Sequence, residues 1–399
     1  MAGPHPAFAV GVIACVLLAI YVAFLVLGST PFFQRHFLYA HKVNTLWWHK
    51  IDRPEYWGFA KNQVTPFSLK TCDGQTLYAW HIMPLPAYLK HERKLAAQSD
   101  GFCDDITITE NLKVLREDPN SRLIVYFHGN AGHIAQAIRP ASYHALTDTS
   151  QYHVLAIDYR GFGRSTGSPT EKGLIIDAVT AANWAVNTAG VPPNRIVLLG
   201  QSLGTAVATA TAEYFAKEGT DFAGVVLVAG FSSLPTMLSH YAISGYVPIL
   251  APFRVSPWLL RQVLKVIVDK WESANRLREI TQIVKARNGR LRLHLVHAKN
   301  DWDIPCHEDD KLFAGAVGGL GVGGGGEGMS DERLAAEKLG RTVNRGKDSF
   351  VTAWKDGDIV IRQELFPFGG HNDLMYYAPM LAAVMKSFDL VDDSEDTGT

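Results

Sequence analysis

Cysteine is scarce in this chain. The four present, Cys15, Cys72, Cys103 and Cys306, are scattered through 399 residues with no C-x-x-C spacing, which excludes a disulfide framework and a cysteine zinc site. An excess of charge of one sign is also lacking: 38 Lys and Arg face 39 Asp and Glu, a formal net charge of −1. Without a basic stripe to displace counterions, no nucleic-acid partner is expected. No N-x-S/T sequon occurs, which agrees weakly with a domain on the cytosolic side of a membrane, although a luminal protein need not carry one.

What the chain does have is a long apolar run near its start. Residues 7–28 read AFAVGVIACVLLAIYVAFLVLG, without a charged residue, and as a helix they cross about 30 Å of hydrocarbon. A cleaved signal peptide is the rival reading. The run, however, exceeds an h-region of about 7–15 residues, and the leader Met1-Ala-Gly-Pro-His-Pro6 lacks the usual Lys or Arg. The expectation is a single membrane anchor over 1–30. In the juxtamembrane segment 31–66, Phe32, Phe33, Phe37 and Tyr39 are expected to act as an interfacial aromatic belt. Arg35, Lys42, Lys50 and Arg53 all follow the span, so the positive-inside rule points the large domain to the cytoplasm.

With 47% hydrophobic residues, the remainder is long enough for one large core, expected over 67–390. Two strand-like runs around Asp73-Gly74 read as a hairpin. Strand candidates follow at 122–127, 154–158, 195–199, 224–228, 291–297 and 358–365, separated by helical patterns such as 173–189 and 205–217. That alternation predicts an α/β fold with a mostly parallel, doubly wound sheet, whose sites gather at the carboxyl ends of the strands. Residues 84–120 read as a surface insertion, 232–281 as a helical cap, 315–347 as a flexible glycine-rich insertion, and 391–399 as a solvated acidic tail.

The chemistry centres on Gly200-Gln201-Ser202-Leu203-Gly204, which sits between a strand pattern and a small-residue helix pattern. A serine hydroxyl is a poor nucleophile unless a sharp turn holds it clear, beside a base and N–H donors, and G-x-S-x-G does this. Gly163-Arg164-Ser165-Thr166-Gly167 also satisfies the pattern. There, Ser168-Pro169-Thr170 delays the next helix, so Ser165 reads as a loop residue. Ser202 is the candidate nucleophile.

A base and an orienting carboxylate are then required, in the chain order Ser, acid, His. The loop after 291–297 offers Asp301 and Asp303, of which Asp301 lies nearer the strand end, though both could be turn residues. His371, in Phe366-Pro-Phe-Gly-Gly-His-Asn-Asp373, follows the last strand pattern and is the candidate base. Asp373 reads as a helix cap. The strand ending in His128-Gly129-Asn130 supplies an oxyanion loop; the backbone N–H groups of Asn130 and Leu203 are the candidate donors, with His128 and Gly129 supporting the loop. Nothing in this chemistry calls for a metal or cofactor.

Taken together, HGNAGH, DYRGFGRSTGSPTE, GQSLG, HAKNDWDIP and GGHNDL resemble the abhydrolase family, in particular its membrane-anchored branch. The match covers roughly 67–388, and co-occurrence in one order is more specific than any single motif. The resemblance implies an α/β-hydrolase fold with Ser202, Asp301 and His371 as nucleophile, acid and base. It further implies hydrolysis of monoacylglycerols or lysophospholipids, including lysophosphatidylserine, at a membrane. The glycine-rich tract and the loop 299–302 depart from the branch. Its catalytic domain is expected in the lumen of the endoplasmic reticulum, against the charge bias after the span, so sidedness stays open. Two alternatives remain: a protein acyl-thioesterase using the same residues, and a non-catalytic scaffold on a hydrolase fold.

Overall fold

The computed structural model describes residues 6–43, 50–243, 247–321 and 331–388. Helix α1 (Pro6–Gly28) is the apolar run; its side chains are exposed from Val10 to Ile20, while Tyr21, Phe24 and Leu25 near its end are half-buried. The first two helices meet at Ser29 and Thr30, where the Thr30 hydroxyl accepts from Phe33 N and Pro31 starts α2 (Pro31–Tyr39). This is a side-chain cap followed by a proline that needs no hydrogen bond of its own.

Strands β1 (Val64–Lys70) and β2 (Thr76–Ile82) form the hairpin around Asp73-Gly74, with Gly74 at φ 86°. After α3 (Leu85–Ala96) and α4 (Glu110–Glu117) the layered body begins. It runs β3 (Arg122–Phe127), α5 (Arg139–Thr147), β4 (Tyr152–Ile157), α6 (Glu171–Asn183), β5 (Ile196–Gln201), α7 (Leu203–Lys217) and β6 (Gly224–Val228). Next come α8 (Leu234–His240), a short hairpin of β7 (Ala242–Ile243) and β8 (Val247–Pro248), α9 (Pro257–Lys265) and α10 (Ser273–Ala286). Strand β9 (Leu291–Ala298), α11 (His307–Gly318), α12 (Asp331–Gly340), β10 (Thr342–Asn344), β11 (Phe350–Asp356), β12 (Ile359–Phe366) and α13 (Ala378–Ser387) complete the order.

Ten strands make one sheet in the order β1-β2-β4-β3-β5-β6-β9-β12-β11-β10. The six central strands, β4 to β12 in that order, pair in parallel; the outer pairs on both sides are antiparallel. Both faces are covered, and a single strand shows why. In β3, Leu123, Val125 and Phe127 enter one apolar cluster, while Ile124 and Tyr126 enter the other. Alternate side chains leave a strand on opposite faces, so a run apolar at every position belongs to a sheet buried on both sides.

Three expectations need amendment. Tyr39 belongs to no interfacial belt: it is buried in the core, its hydroxyl donating to Asp269 Oδ2 at 2.6 Å. Phe32 and Phe37 remain exposed. The stretch 84–120 is more than surface, because Leu95 and Leu112 are fully buried on α3 and α4; each helix contributes too few turns for its period to stand out in the sequence. Asp373 caps nothing; it opens a 3₁₀ turn whose N-cap is Asn372, and its carboxylate raises the Tyr376 hydroxyl to about 12. Residues 322–330 of the glycine-rich tract and the tail from 389 lie outside the described residues.

Candidate active site

Because the central strands are parallel, their carboxyl ends share one edge, and four candidate groups emerge there: Gly129 and Asn130 after β3, Ser202 after β5, Asp301 after β9 and His371 after β12. Gly129, Asn130, Ser202 and His371 line one cleft of about 210 Å³, together with Gln136, Arg139, Gln201 and Asp303. Asp301 lies behind it.

Ser202 has φ 53° and ψ −121°, a conformation that costs of order 1–3 kcal/mol for a residue with a Cβ and persists only where the surroundings enforce it. Here the enforcement is visible. Ser202 N donates to Val228 O at 3.0 Å, and Ser202 O accepts from Thr205 N and Oγ1 at 2.9 and 2.6 Å. Glycine is needed on both flanks: a Cβ at Gly200 would run into the Gly204 carbonyl, and one at Gly204 into the Phe127 carbonyl. The other G-x-S-x-G copy differs. Ser165 Oγ donates to Asp158 O at 2.6 Å and accepts from Tyr78 N at 2.8 Å, a buried structural role.

His371 Nδ1 lies 2.8 Å from Asp301 Oδ2 across 70 residues of chain. The second oxygen, Asp301 Oδ1, accepts from Asp303 N and Ile304 N, each at 2.9 Å. Burial by itself would raise this carboxyl, but hydrogen bonding from His297 and His371 outweighs it and holds Asp301 well below the usual carboxylate range. An ionised Asp301 fixes the His371 tautomer with Nδ1–H toward the carboxylate and leaves Nε2 as the basic nitrogen. Asp301 rather than Asp303 is the residue brought to His371. Asp303, whose backbone serves Asp301, lines the cleft.

Sequence reasoning missed several supporting groups. Arg139, buried at the start of α5, donates from Nη2 to the carbonyls of Gly129, Asn130 and Ala131 at 3.0, 2.9 and 2.9 Å, and from Nη1 to His133 O. One guanidinium thus gathers four carbonyls of the loop, leaving the loop's N–H groups to face elsewhere. Gln201 Nε2 donates to His371 O at 3.1 Å and Asn372 Oδ1 at 3.0 Å, and Asn300 Oδ1 accepts from Gly370 N at 2.8 Å. His297, fully buried, approaches Asp301 Oδ2 at 3.3 Å and Asp309 Oδ1 at 3.0 Å. Burial would lower His297, but Asp309 and Asp301 raise it well above its ordinary value. Gln201, His297 and Asn300 stand inside the quoted motifs with no role legible there, and Arg139 stands outside them; only the fold brings them together.

His128 is buried, with Nδ1 at 2.6 Å from Gly129 O and Nε2 at 3.7 Å from Asp158 Oδ1. Burial lowers His128 and pushes Asp158 up to about 7. Asp301, Asp303 and His371 offer ligand atoms within 4.8 Å of one another, the one such set among the described residues. Asp301 and His371 are already committed to each other, and both Asp301 oxygens accept hydrogen bonds, so a cation would have to displace those bonds.

A strained serine at a strand-to-helix elbow, on a mostly parallel sheet with an acid–histidine pair at the same edge, defines an α/β hydrolase fold. Residues 122–244 match the family model described as alpha/beta hydrolase fold. The chain is similar to Protein ABHD12B of Homo sapiens, 33% identical over 267 residues, 67% of this chain and 60% of that protein. It is also similar to Lysophosphatidylserine lipase ABHD12 of Danio rerio, 25% identical over 298 residues, 74% of this chain and 70% of that protein. The match to the human protein therefore spans less than two thirds of its length. Among solved structures, an alpha-beta hydrolase from Vibrio vulnificus superposes with a TM-score of 0.54 at 16% identity, covering 90% of this chain and 94% of that one; this likeness concerns the fold. The chain therefore carries an α/β-hydrolase fold and is similar in sequence to these ABHD12 proteins.

Proposed function

We propose that the protein is a membrane-anchored serine hydrolase that cleaves carboxylic esters of lipids, a monoacylglycerol or lysophospholipid, through an acyl-enzyme on Ser202. The observation that carries this reading is the 2.8 Å Asp301–His371 pair at the sheet edge where Ser202 is held at φ 53°. His371 Nε2 takes the Ser202 proton as Oγ attacks the ester carbonyl, and the proton passes to the departing alkoxide. Water, deprotonated by His371, then cleaves the acyl-enzyme and restores Ser202. The backbone N–H groups of Asn130 and Leu203 receive the oxyanion; donors so placed are worth about 10²–10³ in turnover each.

Support for a lipid substrate comes from α1, which carries an apolar window over Val10–Gly28 with mean hydropathy 3.0, and from the lipase named among the relatives. In this reading α1 spans the membrane once, 67–390 form the catalytic domain, and the membrane is that of the endoplasmic reticulum.

The test is fluorophosphonate labelling of the detergent-solubilised full chain beside Ser202→Ala. Labelling of the wild type alone is expected, with turnover of a lysolipid ester falling by about 10⁶ in the variant. Equal labelling or equal turnover of the two would sink the assignment.

A further inference from the structure

Between α8 and α10 the chain leaves the layered body and lies against the apolar helix. Tyr21 donates from its hydroxyl to Ile249 O at 2.8 Å, and its ring stacks on Phe253 with centroids 6.4 Å apart. Tyr21 is seven residues before the end of α1, about 10 Å along the axis at 1.5 Å per residue. Residues 249–253 therefore reach that far back along the window that would cross a membrane.

The attachment is built from both sides. Buried Gln34 on α2 donates from Nε2 to Gly28 O at 2.9 Å and Val266 O at 2.8 Å, while its Oε1 accepts from Val268 N at 2.9 Å. One amide thus ties the end of α1, α2 and the segment after α9 into a unit. Behind it, Tyr39 binds Asp269, and Lys270 N and Trp271 N donate to Glu171 Oε2 at 2.7 and 3.0 Å.

The outer surface of this segment is apolar. Val255 is 86% exposed and Trp258 64%, with Leu259, Val266 and Val268 also open. From 232 to 268 the sequence contains no Asp or Glu, while Arg254, Arg261 and Lys265 lie within it. An apolar groove of about 100 Å³ opens between the elements, walled by Phe24, Leu25, Phe37, Leu238 and Val263 with Gln34 as its polar member. Aromatic and aliphatic side chains beside cations, with no anions, is the composition of an element lying in an anionic bilayer interface.

We propose that residues 248–268 form a second membrane-embedded element, monotopic and parallel to the surface, docked beside α1 in an anionic lipid interface. Hydrocarbon of the bilayer covers Trp258, Leu259 and the groove. The cap segment then rides on the membrane at a depth set by Tyr21, and the sheet edge carrying Ser202 is held close to the lipid surface. Leu38, which lines the groove, belongs to the same helix end whose Leu38 and Tyr39 carbonyls accept from Asn130 Nδ2 and Ala131 N in the loop of the cleft.

The test uses the full chain with its four cysteines replaced by serine, reconstituted in phosphatidylcholine vesicles with and without phosphatidylserine. Single cysteines bearing an environment-sensitive fluorophore are placed by Trp258→Cys, Leu17→Cys on α1, and Ile108→Cys, an exposed position that shares a cleft with Val64 and Thr65 at the start of β1, at the opposite edge of the sheet. The expected result is quenching of the 258 label by nitroxide lipids and its protection from aqueous iodide, as at 17, with the 108 label quenched by iodide alone. A 258 label as open to iodide as that at 108, while 17 stays protected, overturns the proposal; iodide access at 17 overturns the anchor, and this proposal with it.

An activity readout rests on the serine hydrolase reading. The double change Trp258→Glu with Leu259→Glu is expected to raise the apparent KM for a vesicle-borne ester by about tenfold or more, with hydrolysis of a short water-soluble ester unchanged. Loss of both activities would indict folding or the catalytic reading; the fluorescence arm, needing no turnover, decides the membrane contact independently.

Discussion

The buried guanidinium of Arg139 donates to the carbonyl oxygen of Asn130 at 2.9 Å, and the same nitrogen reaches the carbonyls on both sides of it. An oxyanion loop works only if its N–H groups are fixed before charge develops. Arg139→Lys keeps the charge but presents a point donor in place of a planar fork. The expected outcome is a fall in kcat of about 10² with KM nearly unchanged, read by steady-state kinetics on a soluble ester. An unaltered kcat would remove Arg139 from the oxyanion machinery.

Gly204 predicts a steric failure. A methyl group there enters the Phe127 carbonyl, and backbone cannot yield as a flexible side chain can. Gly204→Ala is expected to lose fluorophosphonate labelling and to destabilise by about 1–3 kcal/mol or more, measured by thermal melting with and without probe. A variant that labels at the wild-type rate would show that the end of strand β3 and helix α7 have room to separate.

Asp301→Asn tests both charge and tautomer. Turnover is expected to fall by about 10⁴, because the amide no longer enforces Nδ1–H on His371. A carboxyl held below its unfolded value contributes stability that is present above about pH 4 and lost as pH falls through the folded value. The stability gap between wild type and variant is therefore expected to be widest near neutrality and to narrow in acid. A gap independent of pH would mean that the carboxylate is not ionised in the fold.

Asp158 carries the opposite sign. Its carboxyl is pushed up to about 7 by burial, against the Ile134 N–H that donates to it at 2.7 Å. Folding favours the protonated form, so this stability is full below about pH 4, the unfolded value, and is lost as pH rises through about 7. Asp158→Asn retains the acceptor for Ile134. Its melting temperature is expected to hold across that window while the wild type declines; parallel profiles would contradict the assignment.

A buried ion network makes the last case. Arg160 meets Asp177 at 2.8 Å and Asp73 at 2.7 Å, with Asp177 fully buried. Arg160→Met leaves that carboxylate unpaired, and a loss of about 3–5 kcal/mol is expected by chemical denaturation. A loss under about 1 kcal/mol would class the network with surface pairs.

Much of this molecule was legible in the chain itself. The β3 and β6 boundaries read as 122–127 and 224–228 are those observed, because strands apolar at every position and flanked by turns admit few other readings. Ser202, Asp301 and His371 stand out as candidates in the sequence because nucleophile, acid and base are expected in a fixed chain order after parallel strands, and the fold brings Asp301 and His371 to 2.8 Å at the sheet edge that carries Ser202. Helices α3 and α4 were missed, being too short for periodicity to rise above their charge.

The sequence by itself determined the alternation of strands and helices, the elbow at 200–204 and the apolar helix α1, since each is a local pattern in which neighbouring residues constrain one another. Only the tertiary structure decided that Asp301 rather than Asp303 meets His371, that Arg139 gathers the loop carbonyls, that Tyr39 is core, and that 248–268 lie beside Tyr21. Those relationships join residues far apart in the chain, through hydrogen bonds whose geometry exists only once the sheet has brought its strand ends together.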